Sequence, residues 1–139
     1  MDAVFKEKLM AMAKDIEPFD VHNHISVVDV DDGVGVVALD IHPESLNVWG
    51  TPHGGLLYTM SDVACGCAVL TVRPESHVTV TGSMDYLRPA PTKGRVIATG
   101  RVTKMGGKLA YCDSELRDEE GTLIATGRAV MCFTGHAML

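Results

Sequence analysis

No C-x-x-C pair occurs in this chain, and none of its four cysteines, Cys65, Cys67, Cys112 and Cys132, stands near a histidine at a spacing that reads as a zinc site. Buried free thiols are expected, with no metal and no disulfide, since cysteine in an apolar stretch behaves as a small hydrophobe. Basic charge is also short: Lys and Arg number 12 against 18 Asp and Glu, a net charge of −6. That balance argues against nucleic acid or an anionic membrane as the main partner and leaves only a local basic patch for phosphate. The N-terminus, MDAVFKEKLMAMAKD, lacks an uninterrupted apolar core, so neither a secretory signal nor a membrane span is expected there, and the expected location is cytoplasmic. Repeats, low-complexity runs and long linkers are absent. What is left is a chain of 139 residues, 46% apolar, that reads as a single domain over 1–139 with enough apolar surface to bury a real core.

One further absence organises the rest. Between Gly54 and Val72, within Asn47–Val72 (NVWGTPHGGLLYTMSDVACGCAVLTV), the only side chain charged at neutral pH is Asp62. Leu56, Leu57, Met60, Val63, Ala64, Cys65, Cys67, Ala68, Val69 and Leu70 fall on every side of a 3.6-residue period, and a helix apolar all round is a buried helix. A buried carboxylate without a partner is costly, which makes Asp62 a candidate for chemistry.

Along the chain, Phe5, Leu9 and Met12 mark an amphipathic helix over Val4 to Ala13. Asp20 to Asp29 and Gly33 to Ile41 read as strands of a hairpin, joined through Asp31, Asp32 and Gly33, with Pro43 ending the second. Arg73, Pro74 and Glu75 break the central helix pattern. Four strands then read as a meander: His77 to Leu87, Arg95 to Met105, Lys108 to Arg117 and Thr122 to Phe133, with glycine or proline turns between them. Six strands and one long helix predict an α+β fold in which a curved antiparallel sheet wraps the helix.

Asn47-x-x-Gly50-x-x-His53-Gly54-Gly55 followed by Asp62, with Asp85-Tyr86-Leu87-Arg88-Pro89-Ala90 and Asp118-x-x-Gly121-x-Leu123-x-Ala125, resembles the hotdog-fold acyl-CoA thioesterases of the phenylacetate-pathway, PaaI-like, type. The match covers most of residues 20 to 134. The resemblance implies a hotdog fold, an acyl-CoA substrate, thioester hydrolysis without a cofactor, and a homodimer that often pairs again into a tetramer. It also implies roles: Asp62 as general base or nucleophile, the Gly54 amide as oxyanion donor, and Asn47 holding the carbonyl or the attacking water. His53 completes the catalytic set, with a backbone hydrogen bond that fixes the loop as its expected part, because no Cys-His or Ser-His arrangement forms with it. Ser61 lacks a G-x-S-x-G setting and is no nucleophile candidate. On the substrate side stand Gly55, Arg88, Lys108 and Thr81. One of Thr79, Thr81 and Ser83 is expected to approach Asp62, and Tyr58, Met60, Trp49 and Met84 are candidate pocket walls. Arg88, Lys93, Arg95, Lys104 and Lys108 are candidates for the CoA phosphates. Where the family often has glycine then arginine, this chain has Gly107 and Lys108, and lysine binds phosphate as a point charge without a fork.

Elementary physics supports the roles of Gly54 and Asp62 separately. Thioester hydrolysis builds negative charge on the carbonyl oxygen, and a helix N-terminus presents unpaired N–H groups and a favourable dipole. Gly54 stands where the helix begins, and the missing side chain admits a close carbonyl. If Gly54 and Asp62 share one helix, eight residues separate them by roughly 12 Å, too far for one carbonyl to touch both. A site shared between two chains follows, hence a two-fold dimer. Two other readings compete. A hotdog hydratase or dehydratase wants a paired carboxylate and histidine, and His53 and Asp62 are nine residues apart. A non-enzymatic acyl-CoA-binding module gains nothing from a carboxylate beside the thioester.

Overall fold

The structure, a computed structural model, describes residues 1–14 and 17–139; Asp15 and Ile16 lie outside the described residues. Helix α1 (Ala3–Ala13) starts where the Asp2 carboxylate accepts from the Phe5 amide at 2.9 Å, and it buries Leu9. The expected strand from Asp20 is corrected at its start. Pro18–His22 forms a short helix, α2, because proline suits the first helical position, and His24, at φ 61°, turns the chain into the strand. Strand β1 (Ile25–Asp31) then pairs with β2 (Val34–Asp40) as an antiparallel hairpin across Asp32 and Gly33. Gly33 takes φ 69°, a conformation that strains other residues.

A 3₁₀ turn (Pro43–Ser45) and a loop lead to the long helix α3 (Gly54–Val72). Strands β3 (Glu75–Tyr86), β4 (Arg95–Met105), β5 (Leu109–Asp118) and β6 (Leu123–Ala137) complete one antiparallel sheet of order β1-β2-β4-β5-β6-β3. The simple meander is therefore corrected: β3 pairs with β6 at the far edge, and the chain returns across the sheet to place β4 between β2 and β5. Local alternation gives each strand its faces and says nothing of its neighbour.

The sheet curves round α3 in the hotdog arrangement. Leu57, Met60 and Ala64 of the helix pack with Val37, Leu39, Val96, Ala98, Leu116 and Ile124 of the strands. Helix and sheet meet at backbone distance where two strand glycines face the small side of α3. A Cβ on Gly35 or on Gly100 would lie 2.5 Å from the backbone of Ala64. The helix is not enclosed all round, which corrects the reading from its composition. Asp62, Val63, Gly66, Cys67 and Leu70 form a half-buried face toward α2 and the edge strand β3, on which Val78 and Val80 are 57% and 59% exposed.

Candidate active site

The loop before α3 is organised by one side chain. Asn47 Oδ1 accepts from the Trp49 amide at 2.9 Å, the Thr51 amide at 3.2 Å and the Thr51 hydroxyl at 3.3 Å, while the Asn47 amide donates to Thr51 O at 2.7 Å. Gly50, at φ 81°, makes the turn. Asn47 is thus a turn residue through its oxygen, and its Nδ2 has no acceptor among the described residues.

His53 caps the helix. Its Nδ1 accepts from the Gly55 amide at 2.9 Å, which puts the ring proton on Nε2, and its carbonyl accepts from Leu56 at 3.0 Å and Leu57 at 3.2 Å. Of the first amides of α3, only that of Gly54 has no acceptor among the described residues. Gly55, expected on the substrate side, has its amide committed to His53. Gly54 has no positive φ; its missing side chain concerns space, because a Cβ there would stand 3.4 Å from the Tyr86 phenol. The Tyr86 hydroxyl donates to Gly54 O at 2.6 Å. Asn47, Thr51, Gly54, Tyr86 and Arg88 line one open cleft of about 430 Å³.

Asp62 lies two turns further along. The Thr79 hydroxyl donates to Asp62 Oδ1 at 2.6 Å. Thr79, not Thr81, approaches the carboxylate, and the cause is a bulge: Thr79 pairs with Met131 and Thr81 with Val130, leaving Val80 as the extra residue. An extra residue reverses the alternation, so Gly82 and Met84 face inward while Thr81 and Ser83 are exposed, Ser83 lining a groove with Asp113 and Arg128. From Asp62 a cavity of about 270 Å³ runs along Val63, Gly66, Cys67 and Leu70 to His77 and Met138, with Glu17 also lining it. Gly66 makes room for the His77 ring, whose Nε2 lies 3.2 Å from where a Cβ would be.

Two acids of the α2 region, Glu17 and Asp20, belong to this neighbourhood; the strand expected from Asp20 to Asp29 covers only the second of them, and Pro18 is the residue that signals a helix start there. Asp20 is buried with no partner for its Oδ1 among the described residues. Burial, then Glu17, then Asp62 push its carboxyl up to about 7. Burial, with help from Glu17 and Asp20, pushes the Cys67 thiol up to about 12, so it stays protonated and is no nucleophile. Among the described residues no three His, Cys, Asp or Glu side chains gather as a metal site.

The remaining candidates are dispersed. Arg88 sits at the rim of the Gly54 cleft and donates to Leu123 O at 2.7 Å. Lys108 is exposed at the other end of α3, where Arg73, the residue after the helix, donates to Gly107 O at 2.8 Å. One chain therefore does not bring Arg88 and Lys108 together. Met60 is wholly buried in the core, which removes it from the pocket walls; Trp49 is 83% exposed beside Asn47. Gly54 and Asp62 do share one continuous helix, about 12 Å apart along its axis.

Residues 50–125 match the thioesterase superfamily. Human acyl-coenzyme A thioesterase 13 is 32% identical over 130 residues, covering 92% of this chain and 93% of that protein. The structure of the PaaI protein from the phenylacetic acid degradation operon of E. coli superposes with a TM-score of 0.89 over 97% of each chain; at 21% identity that is a likeness of fold. Zebrafish thioesterase superfamily member 2 superposes with a TM-score of 0.78 at 26% identity, over 92% of this chain and 94% of that one.

Proposed function

The chain belongs to the thioesterase superfamily, and from that premise we propose that it hydrolyses the thioester of an acyl- or aryl-CoA to the free acid and CoA. The observation that carries this reading is the uncommitted Gly54 amide at the start of α3, beside an Asn47 Nδ2 without an acceptor among the described residues. Both residues line one cleft, and two such donors suit a carbonyl oxygen that gains negative charge. Asp62, with Oδ1 held by Thr79, supplies the base or the nucleophile.

As a base, Asp62 takes a proton from water while the water oxygen bonds to the thioester carbon. The resulting oxyanion is held by Gly54 N–H and Asn47 Nδ2, and its collapse expels the CoA sulfur, which leaves as the thiol once protonated. As a nucleophile, the carboxylate attacks the same carbon, the C–S bond breaks to release CoA as the thiolate, and water cleaves the resulting mixed anhydride to the free acid and the regenerated Asp62 carboxylate. Either route needs Gly54 and Asp62 at one carbonyl, and about 12 Å of helix separates them within a chain. The active form is accordingly a two-fold dimer, with Gly54 and Asn47 from one subunit and Asp62 and Thr79 from the other. The open face of α3 and the exposed Val78 and Val80 of edge strand β3 support an interface there.

The test is release of free thiol from a panel of acetyl-, medium-chain, long-chain and aromatic acyl-CoA, with and without chelator. Release from at least one substrate, unaffected by chelator, is expected. Tight acyl-CoA binding with no release from any of them would replace the enzyme by a ligand-binding module.

A further inference from the structure

The peptide unit joining Gly54 to Gly55 is held at both ends by side chains. Its oxygen accepts from the Tyr86 hydroxyl at 2.6 Å, and its N–H donates to His53 Nδ1 at 2.9 Å. A capping side chain on an early amide is ordinary for a helix start. A hydroxyl from a distant strand on the first carbonyl is not, since that oxygen already belongs to the helix ladder. Glycine backbones are otherwise the freest in the chain; two anchored ends set the plane of this unit, the His53 carbonyl held by the Leu56 and Leu57 amides sets that of the unit before it, and together they fix the torsions of Gly54 between them. The N–H left without an acceptor among the described residues is that of Gly54, one unit earlier. The Tyr86 ring stands against the same glycine, 3.4 Å from the place of a Cβ, and forms a wall of the cleft with Asn47 and Arg88. Burial, then Tyr58, raises the phenol above its ordinary range, so the hydroxyl keeps its proton through neutral pH.

We propose that Tyr86 is a positioning residue for thioester cleavage: it fixes the Gly54–Gly55 peptide so that the Gly54 N–H points into the cleft at the carbonyl oxygen. The inference rests on the reading of Gly54 as oxyanion donor. His53 acts on the same unit from the other end, which assigns its ring to orientation and not to proton transfer. The bland alternative is that Tyr86 only packs the end of β3 against α3, and the two differ in what a single oxygen atom does.

Tyr86→Phe keeps the ring and removes that oxygen. Loss of a whole oxyanion donor costs 10² to 10³ in kcat, so a misaimed donor should cost about tenfold. KM should stay within about twofold, because the ground-state contacts remain. A second reading comes from a ketone analogue of the substrate, with CH2 in place of sulfur and a ¹³C-labelled carbonyl. Its C=O stretch, lowered when bound to the wild-type protein, should move back toward the solution value in the Phe variant, while the melting temperature changes by a few degrees at most. Unchanged kcat and an unchanged stretch would overturn the proposal. If the Phe variant does not fold, difluorotyrosine at position 86 keeps the shape and, at a pH low enough to keep its more acidic phenol protonated, donates more strongly; a further lowered stretch supports the proposal and an unmoved one sinks it. Failure of the underlying reading looks different, since the wild-type protein would then release no thiol and leave the ketone stretch at its solution value.

Discussion

Asp62 is half-buried and, among the described residues, its side chain accepts one side-chain hydrogen bond, from Thr79, so the charge and its positioning can be separated by substitution. Asp62→Asn keeps the shape and loses the charge; kcat should fall by at least about 100-fold with the fold intact, as removal of a general base costs 10² to 10⁴. Near-normal turnover by a folded variant would exclude the aspartate as base and as nucleophile. Thr79→Ala leaves the carboxylate in place but free to rotate, and a smaller loss of about fivefold to tenfold in kcat is expected, with Thr81→Ala near wild type; equal losses would mean that the bulge at Val80 does not set the partner of Asp62. Asp20 gives a pH prediction. Its folded-state carboxyl titrates at about 7, above the ordinary 3.8, so the folded chain holds it neutral over a range where the unfolded chain ionises it. Stability is therefore lost as pH rises from about 4 through about 7, and the ionised group then faces Glu17 and Asp62. Asp20→Asn should raise the melting temperature more at pH 8 than at pH 5; a difference independent of pH would show that Asp20 is not held neutral.

At the scale of elements, α3 and the sheet touch through absent side chains. Gly35 of β2 and Gly100 of β4 lie against the backbone at Ala64, and a methyl group at either would come within 2.5 Å of it, a contact that rotamer changes do not relieve. Gly100→Ala should destabilise the protein by about 1–3 kcal/mol or more, the cost of forcing atoms into a packed core. Urea unfolding measures it, and a midpoint equal to wild type would show that α3 can back away. The small residues Ala64, Cys65 and Ala68 on the helix complement those glycines, so this side of α3 is specified by closeness and the opposite side, with Asp62, by what is left open.

For the whole molecule, the separation of Gly54 from Asp62 decides the assembly. Asp62→Ala and Asn47→Ala proteins, each inactive, should regain activity when unfolded together and refolded as a mixture. A mixed dimer then holds one intact site beside one lacking both residues. Random pairing gives half mixed dimers with half their sites intact, roughly a quarter of wild-type activity. A mixture no more active than its parents, or a monomer that turns over substrate, would place the whole site within one chain.

Periodicity and turn residues alone determined that this chain forms a long apolar helix from Gly54 and antiparallel strands after it, because both signals are local: 3.6-residue spacing for one, alternation between glycine and proline turns for the other. The fold and the superfamily were legible in the Asn47 to Asp62 motif for the same reason, since its residues lie close in the chain. Three things were settled only in three dimensions. The pairing of β3 with β6 is a long-range choice that alternation does not encode. In the run Val78-Thr79-Val80-Thr81 either threonine could face the helix, and the bulge that selects Thr79 exists only against the partner strand. The open side of α3 carried a single mark in the sequence, Asp62, on a helix otherwise apolar all round; how much of that side stays uncovered depends on where the edge strand and α2 come to rest.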